Sequence, residues 1–282
     1  SFTGESDLPR WARDLKERID ARMTSVFVLH FNVADEVRLG DQFVSIETFL
    51  GRWLAGDDRM VVYDRSHGLR FSDHDTEALF RKVTGFTQEA EAAKRRALTA
   101  LGQAVPPERE LPTHPTKVLS LLETAIRSGC FGAREGPALL VLIGYAETLV
   151  PDAELSSMSD DDRTHLVTFL RWAADPEILR SGVAIILTVG NLADLHAHLR
   201  GPASRVETIE IPLPTLSERA EYIQHLLAAN GLTLEMSPEQ LAHVTAGLSR
   251  LHLKTLCRRA SGRDVPLTYT EVTERKREIL KR

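Results

Sequence analysis

Several clusters in the sequence hold residue types that could do chemistry. Asp64, Ser66 and His67 supply an acid, a hydroxyl and an imidazole, the members of a nucleophilic triad. Their crowding into one short stretch is the spacing of a turn, since a working triad is assembled across a fold. His196 and His198 flank Ala197 with no cysteine or third histidine nearby, which is a poor metal pair. Asp160, Asp161 and Asp162 could attract a cation, but following Ser159 they also fit the capped, acidic first turn of a helix. A phosphate cradle needs Gly-x-x-x-x-Gly-Lys-Ser/Thr, whose backbone N–H groups and lysine face the anion. Of the lysines at 16, 82, 94, 117, 254, 276 and 281, only Lys254 precedes a Ser or Thr, and Leu253 stands where the glycine belongs.

These residues must be held by the surrounding elements. Five apolar runs predict strands: Val26–His30, Met60–Asp64, Ala138–Ile143, Val183–Val189 and Val206–Ile211. The middle ones are continuous rather than alternating, as strands of a parallel sheet covered on both faces are. Helical spacing over 43–55, 118–126 and 160–174 places helices between them, predicting an α/β fold with a three-layer α/β/α sandwich and a mostly parallel, five-stranded sheet. After Pro214 the pattern becomes helical only. Helices are expected over 217–230, 238–246 and 251–260, stopped by Gly231, Gly247 and Gly262. The expected division is an α/β domain over 1–214, with a helical, partly mobile insertion at 72–116 that includes Pro106 and Pro107. A helical lid over 215–268 follows, then a charged helix at 269–282 leading toward a further domain. The Glu89–Arg96 segment reads as a solvated helix face.

Composition narrows the function classes. The chain has 282 residues, 43% hydrophobic and 27% charged, enough for a sizeable core. A formal net charge of −5 provides no basic field, so neither nucleic acid nor an anionic membrane is expected as partner. Cys130 and Cys257 cannot form a disulfide framework. The polar start Ser1–Arg10 has no signal-peptide core, and no apolar run reaches the roughly 18–20 residues of a membrane span. The expected location is cytoplasmic.

From about Ala138 to Ala260 the order of motifs resembles the AAA+ ATPases. Leu142–Pro151 stands where that family has its Walker B strand, and Ile185–Leu195 resembles the sensor-1 strand. Leu199–Arg205, the strand to Pro214 and Glu218-Arg219 are similar to the arginine-finger and Pro-x-Pro passage. Thr245–Leu253 is similar to the lid motif. The resemblance covers a little under half the chain and implies a nucleotide-handling fold with a helical lid, in a ring.

Within that resemblance this chain departs from the pattern. The place of the phosphate loop reads His30-Phe-Asn-Val-Ala-Asp-Glu-Val37, with no glycine or lysine and with Asp35 and Glu36 where phosphates would lie. Gly144 stands at the metal-associated aspartate and Tyr145 at the catalytic glutamate. Neither residue type holds a metal-bound water or acts as a carboxylate base. Glu147 is the nearest carboxylate, read either as a vestigial base or as a turn residue. Asn191 is placed as sensor 1 or as the cap of the following turn. Arg200 and Arg205 are placed as fingers acting on a neighbour's site or as solvated loop arginines. No metal site is expected. Arg250 and Leu251 replace small residues of the lid motif.

The resulting expectation is a catalytically degenerate AAA+ module, a structural or regulatory tier of a larger ATP-driven assembly. It would need no cofactor of its own, with ATP and Mg²⁺ in a neighbouring active module. Its partners would be itself or an active AAA+ domain in a ring, and a protein substrate or adaptor. Two alternatives stay open: an active ATPase with an unconventional phosphate site, and a pure protein-interaction domain on the same fold.

Overall fold

The computed structural model describes residues 8–87, 89–105, 109–132, 134–230, 233–260 and 266–281. The expected stops at Gly231 and Gly262, together with Pro106, Pro107 and the first seven residues, lie outside them. The main sheet contains β1 (Val26–Phe31), β4 (Met60–Asp64), β5 (Gly68–Phe71), β6 (Leu140–Ile143), β7 (Ala184–Val189) and β8 (Glu207–Ile211). Its strand order is β5-β4-β6-β7-β1-β8. All neighbours are parallel except β4–β5. The sheet therefore has six strands where five were expected. The sixth, β5, is a short edge strand that doubles back from β4 after a tight turn and lacks a continuous apolar run.

Successive side chains of the parallel strands enter two different cores. Val26, Val28, Val61, Tyr63, Val141, Ile143, Ile185 and Leu187 face one, with α5 (Pro115–Arg127), α6 (Asp160–Ala174) and α7 (Pro176–Ser181) covering it. Phe27, Leu29, Val62, Leu140, Leu142 and Ile186 face the other, covered by α1 (Arg10–Asp20) and α2 (Ile46–Trp53). Both faces being dry is why the runs read as continuous. The 72–116 stretch divides into α3 (His74–Val83), whose Phe80 is fully buried in the first core, and the outlying α4 (Glu89–Ala100).

Between β1 and α2 the chain forms a separate antiparallel hairpin, β2 (Glu36–Leu39) and β3 (Gln42–Ser45). The helix expected to start at Phe43 starts instead at Ile46, capped by Ser45, which accepts from the Thr48 N–H. Phe43 belongs to β3. Its spacing to Ile46 imitated a helix, but its ring packs on the C-terminal lobe, edge-on to Tyr222 at 4.7 Å.

That lobe comprises α9 (Leu216–Asn230), α10 (Pro238–Val244), α11 (Arg250–Ala260) and α12 (Tyr269–Leu280), around Tyr222, Ile223, Leu241, Leu253 and Cys257; the short α8 (Ala197–Arg200) precedes β8. Helix α12 starts with a capping box between Thr268 and Glu271 and buries Val272 in the lobe's core, so it packs as part of the lobe. Among the described residues, no helix is long and apolar enough to cross a membrane.

Candidate functional site

Parallel strands direct their C-terminal ends to one edge of the sheet, where open α/β folds bind ligands. Here that edge gathers the segments after β1, β4, β6 and β7, and the lobe stands over the first of them.

After β1, Phe31 takes a left-handed conformation (φ 78°) and is half exposed. Asn32 turns the chain, its amide donating to Asp35 (2.8 Å) and to the Pro212 carbonyl (3.3 Å). Asp35 is 3% exposed, and its carboxylate accepts the backbone N–H groups of Arg250 (3.0 Å) and Leu251 (2.9 Å). It thus caps α11 from a distant part of the chain, satisfying N–H groups that have no partner within the helix. Glu36 accepts from the Tyr222 hydroxyl (2.6 Å) and pairs with Lys254 (2.5 Å), while its carbonyl accepts from the Arg250 guanidinium (3.2 Å). Burial first, and then Glu36, push the Tyr222 hydroxyl far above its ordinary range, so it stays a donor. Next along β2, Arg38 pairs with Glu221 of α9.

This geometry is the reverse of what a Mg²⁺-triphosphate needs. No helix follows β1 directly, the N–H groups that reach the turn from the start of α11 are already taken by Asp35, and the turn presents two carboxylates, which repel phosphate. The residues present do not fit that ligand.

The edge after β6 is different. Gly144 donates its N–H to the Tyr63 carbonyl (2.9 Å). A Cβ there would meet Asp64 at 3.7 Å and Thr188 at 3.9 Å, ordinary contact distances. Tyr145 is left-handed (φ 54°) and 67% exposed. Glu147 lies in a 3-10 turn, Ala146–Thr148, and its Oε2 is buried with no hydrogen-bond partner among the described residues.

Asn191 follows β7 and caps the next turn, its side-chain oxygen accepting from the Ala193 N–H (3.1 Å) and its amide facing Asp194 (3.3 Å). The loops after β6 and β7 are joined: the Asp152 N–H donates to Asp194 (2.8 Å) and the His196 N–H to Val150 (3.1 Å). Arg200 fastens the same junction. It donates to the Leu195 carbonyl (2.6 Å) and pairs with Asp152 (2.9 Å). Arg205 is placed otherwise. It is exposed, has no ion pair among the described residues, and sits just before β8, at the opposite edge of the sheet from Glu147 and Asn191.

The other clusters resolve into local structure. Asp64 accepts from the Ser66 N–H (2.9 Å), the His67 N–H (2.8 Å) and the His67 ring (2.8 Å), which makes a turn. Burial alone would raise the Asp64 carboxyl, but these bonds outweigh it and hold it below the usual carboxylate range. His196 accepts from the His198 N–H (3.1 Å), and burial pushes its ring toward the neutral form. Ser159 caps α6 ahead of Asp160–Asp162, accepting from the Asp162 N–H (3.1 Å). Among the described residues, no three His, Cys, Asp or Glu side chains are placed to hold a metal ion.

Sequence reasoning noticed Asp35 and Glu36 as obstacles to phosphate but missed what they bind. Their partners in the lobe lie 186 to 218 residues away, and no local pattern connects them.

Comparison with known proteins agrees with this architecture. Residues 3–212 match the family described as the AAA+ chaperone, N-terminal Rossmann-like domain, and residues 217–282 match the AAA+ chaperone, second helical domain. No curated protein matches. Among solved structures, a chain of the E. coli MS115-1 HORMA:CdnC:Trip13 complex shares the fold, with a TM-score of 0.53 at 15% identity, covering 96% of this chain and 78% of that one. With both of its regions matched in chain order, the protein belongs to the AAA+ chaperone family.

Proposed function

We propose that this chain is a nucleotide-independent AAA+ module, a structural or regulatory tier of a larger ATP-driven assembly that works on protein partners. The observation that carries this is the Asp35–Glu36 turn, which puts two carboxylates at the phosphate-loop position and engages them with the lobe. Gly144 and Tyr145 at the catalytic carboxylate positions, and an Asn191 already capping its own turn, support the same reading. ATP and Mg²⁺ then belong to a neighbouring competent module, and this chain needs no cofactor. That the similar solved chain comes from a complex with HORMA and CdnC favours a protein adaptor or substrate here.

Arg205 is the residue through which this tier would serve a neighbour. It is exposed, unlike Arg200, whose guanidinium is bound within its own chain.

The direct test is calorimetric titration of the chain with ATP and with ADP in the presence of Mg²⁺. Silence up to millimolar nucleotide is the expected result. Saturable binding near ~10 μM, about −7 kcal/mol, would overturn it. In the assembly, Arg205→Ala should lower ATP turnover while Arg200→Ala changes it mainly through stability.

A further inference from the structure

The lobe and the α/β domain are joined by more than the chain that connects them. The hairpin β2–β3 and its preceding turn meet α9 and α11 through an array of opposite charges. Asp35 and Glu36 stand on one side; Arg250, Lys254 and the positive end of α11 stand on the other. Arg38 with Glu221 extends the array, and Glu218 adds a second acid to Arg250 at 3.4 Å. Phe43 fills the centre, edge-on to Tyr222, 5.0 Å from the His225 ring and 5.8 Å beneath the Arg250 guanidinium. Arg250 is 8% exposed, and its Nε is buried without a hydrogen-bond partner among the described residues. It is kept there by its other nitrogens and by the backbone it starts.

We propose that the Asp35–Glu36 turn is a built-in anion that clasps the helical lobe onto the α/β domain, so that the lobe keeps one orientation with no ligand bound. A helix N-terminus flanked by an arginine and a lysine is a place where a free anion would bind and bridge two bodies. In this chain that place is filled from within, by carboxylates that cannot diffuse away. The position of the lobe is then fixed by sequence rather than by ligand concentration. This inference rests on the nucleotide-independent reading above, yet the two fail separately.

The test uses the full chain, spin-labelled at the exposed Cys130 and at Tyr269→Cys on the lobe. Cys257 is buried and its thiol is pushed up to about 11, so it escapes labelling. Without nucleotide, a single narrow distance distribution is expected. Asp35→Ala/Glu36→Ala should broaden it, and amide exchange at Arg250 and Leu251 should accelerate roughly tenfold. Because Asp35 is buried and its loss could unfold the domain, a second variant, Tyr222→Phe/Lys254→Ala, releases Glu36 from the lobe side. That variant should broaden the distribution while leaving the near-ultraviolet dichroism of the α/β domain unchanged. Narrow distributions and unchanged exchange in both folded variants would overturn the clasp. A shift of the wild-type distance on adding ATP and Mg²⁺ would instead overturn the nucleotide-independent reading, since the clasp is decided in the absence of nucleotide.

Discussion

Two turns at the same edge of the sheet have gone opposite ways. The turn after β1 engages both carboxylates with partners across the molecule, whereas the turn after β6 leaves Tyr145 in solvent and one oxygen of Glu147 without a partner among the described residues. In the first, charge supports the fold; in the second, the support is apolar, from Ala146, Leu149 and Val150 buried in the first core, and the polar side chains at its tip stand outside it. Under the nucleotide-independent function proposed above, a site relieved of its ligand need not decay evenly. Where its groups can reach another lobe they become structural, and where they cannot they are left free to change.

Substitutions should widen or close this contrast by unequal amounts. Asp35→Ala should have the largest effect, costing about 2–4 kcal/mol in denaturant unfolding, because it leaves the N–H groups of Arg250 and Leu251 without their acceptor and removes a charge facing the Arg250 guanidinium. Glu36→Gln should cost about 1–2 kcal/mol, through loss of the charge that pairs with Lys254. At the other turn the sign should reverse. Tyr145→Gly should be neutral or gain up to about 1 kcal/mol, because glycine adopts a left-handed backbone without strain and the lost ring is mostly exposed. A loss comparable to Glu36→Gln would show that the Tyr145 side chain supports the fold as the Glu36 carboxylate does.

Acidification should act on both sides with one sign. Burial lowers His30 below its ordinary 6.5, and Asp64 lies below its ordinary 3.8. In each case the unfolded chain takes up the proton first. Stability is therefore complete above those ordinary values and is lost as the pH falls through the lower folded ones. His196, also lowered by burial, adds to the step near 6.5. Thermal unfolding across pH should show two declines, with His30→Gln shrinking the upper one and Asp64→Asn the lower. The smallest effect is expected for Arg205→Ala, within about 0.5 kcal/mol of wild type in thermal unfolding.

How much of this was legible in the sequence follows from where each signal is stored. The parallel strands were legible because burial on both faces leaves runs such as Leu140–Ile143 uninterrupted by polar residues. The starts of α6 and α10 were legible because Ser159 and Ser237 advertise their caps locally. The hairpin β2–β3 was missed although Gly40-Asp41 between Val37/Leu39 and Phe43 is a turn flanked by alternating residues. The helical spacing of Phe43 with Ile46 was the stronger pattern and was misleading. At the site, the composition of the β1 turn showed two adjacent carboxylates, Asp35 and Glu36. What it does hold depends on α11, and only folding brings that helix to Asp35.

Arg219 gives the lobe a definite pivot. It is buried, and its guanidinium donates to the carbonyls of Pro214 (2.6 Å) and Ala242 (3.0 Å), riveting the segment that follows β8 to α10. Any rotation of the lobe must therefore occur upstream of Pro214, between Ile211 at the end of β8 and that rivet. Pro212 and Pro214 fix two of the torsions there. The lobe thus turns on a very short axle, and a push received by α12 would be felt both at the end of β8 and at the Asp35–Glu36 turn.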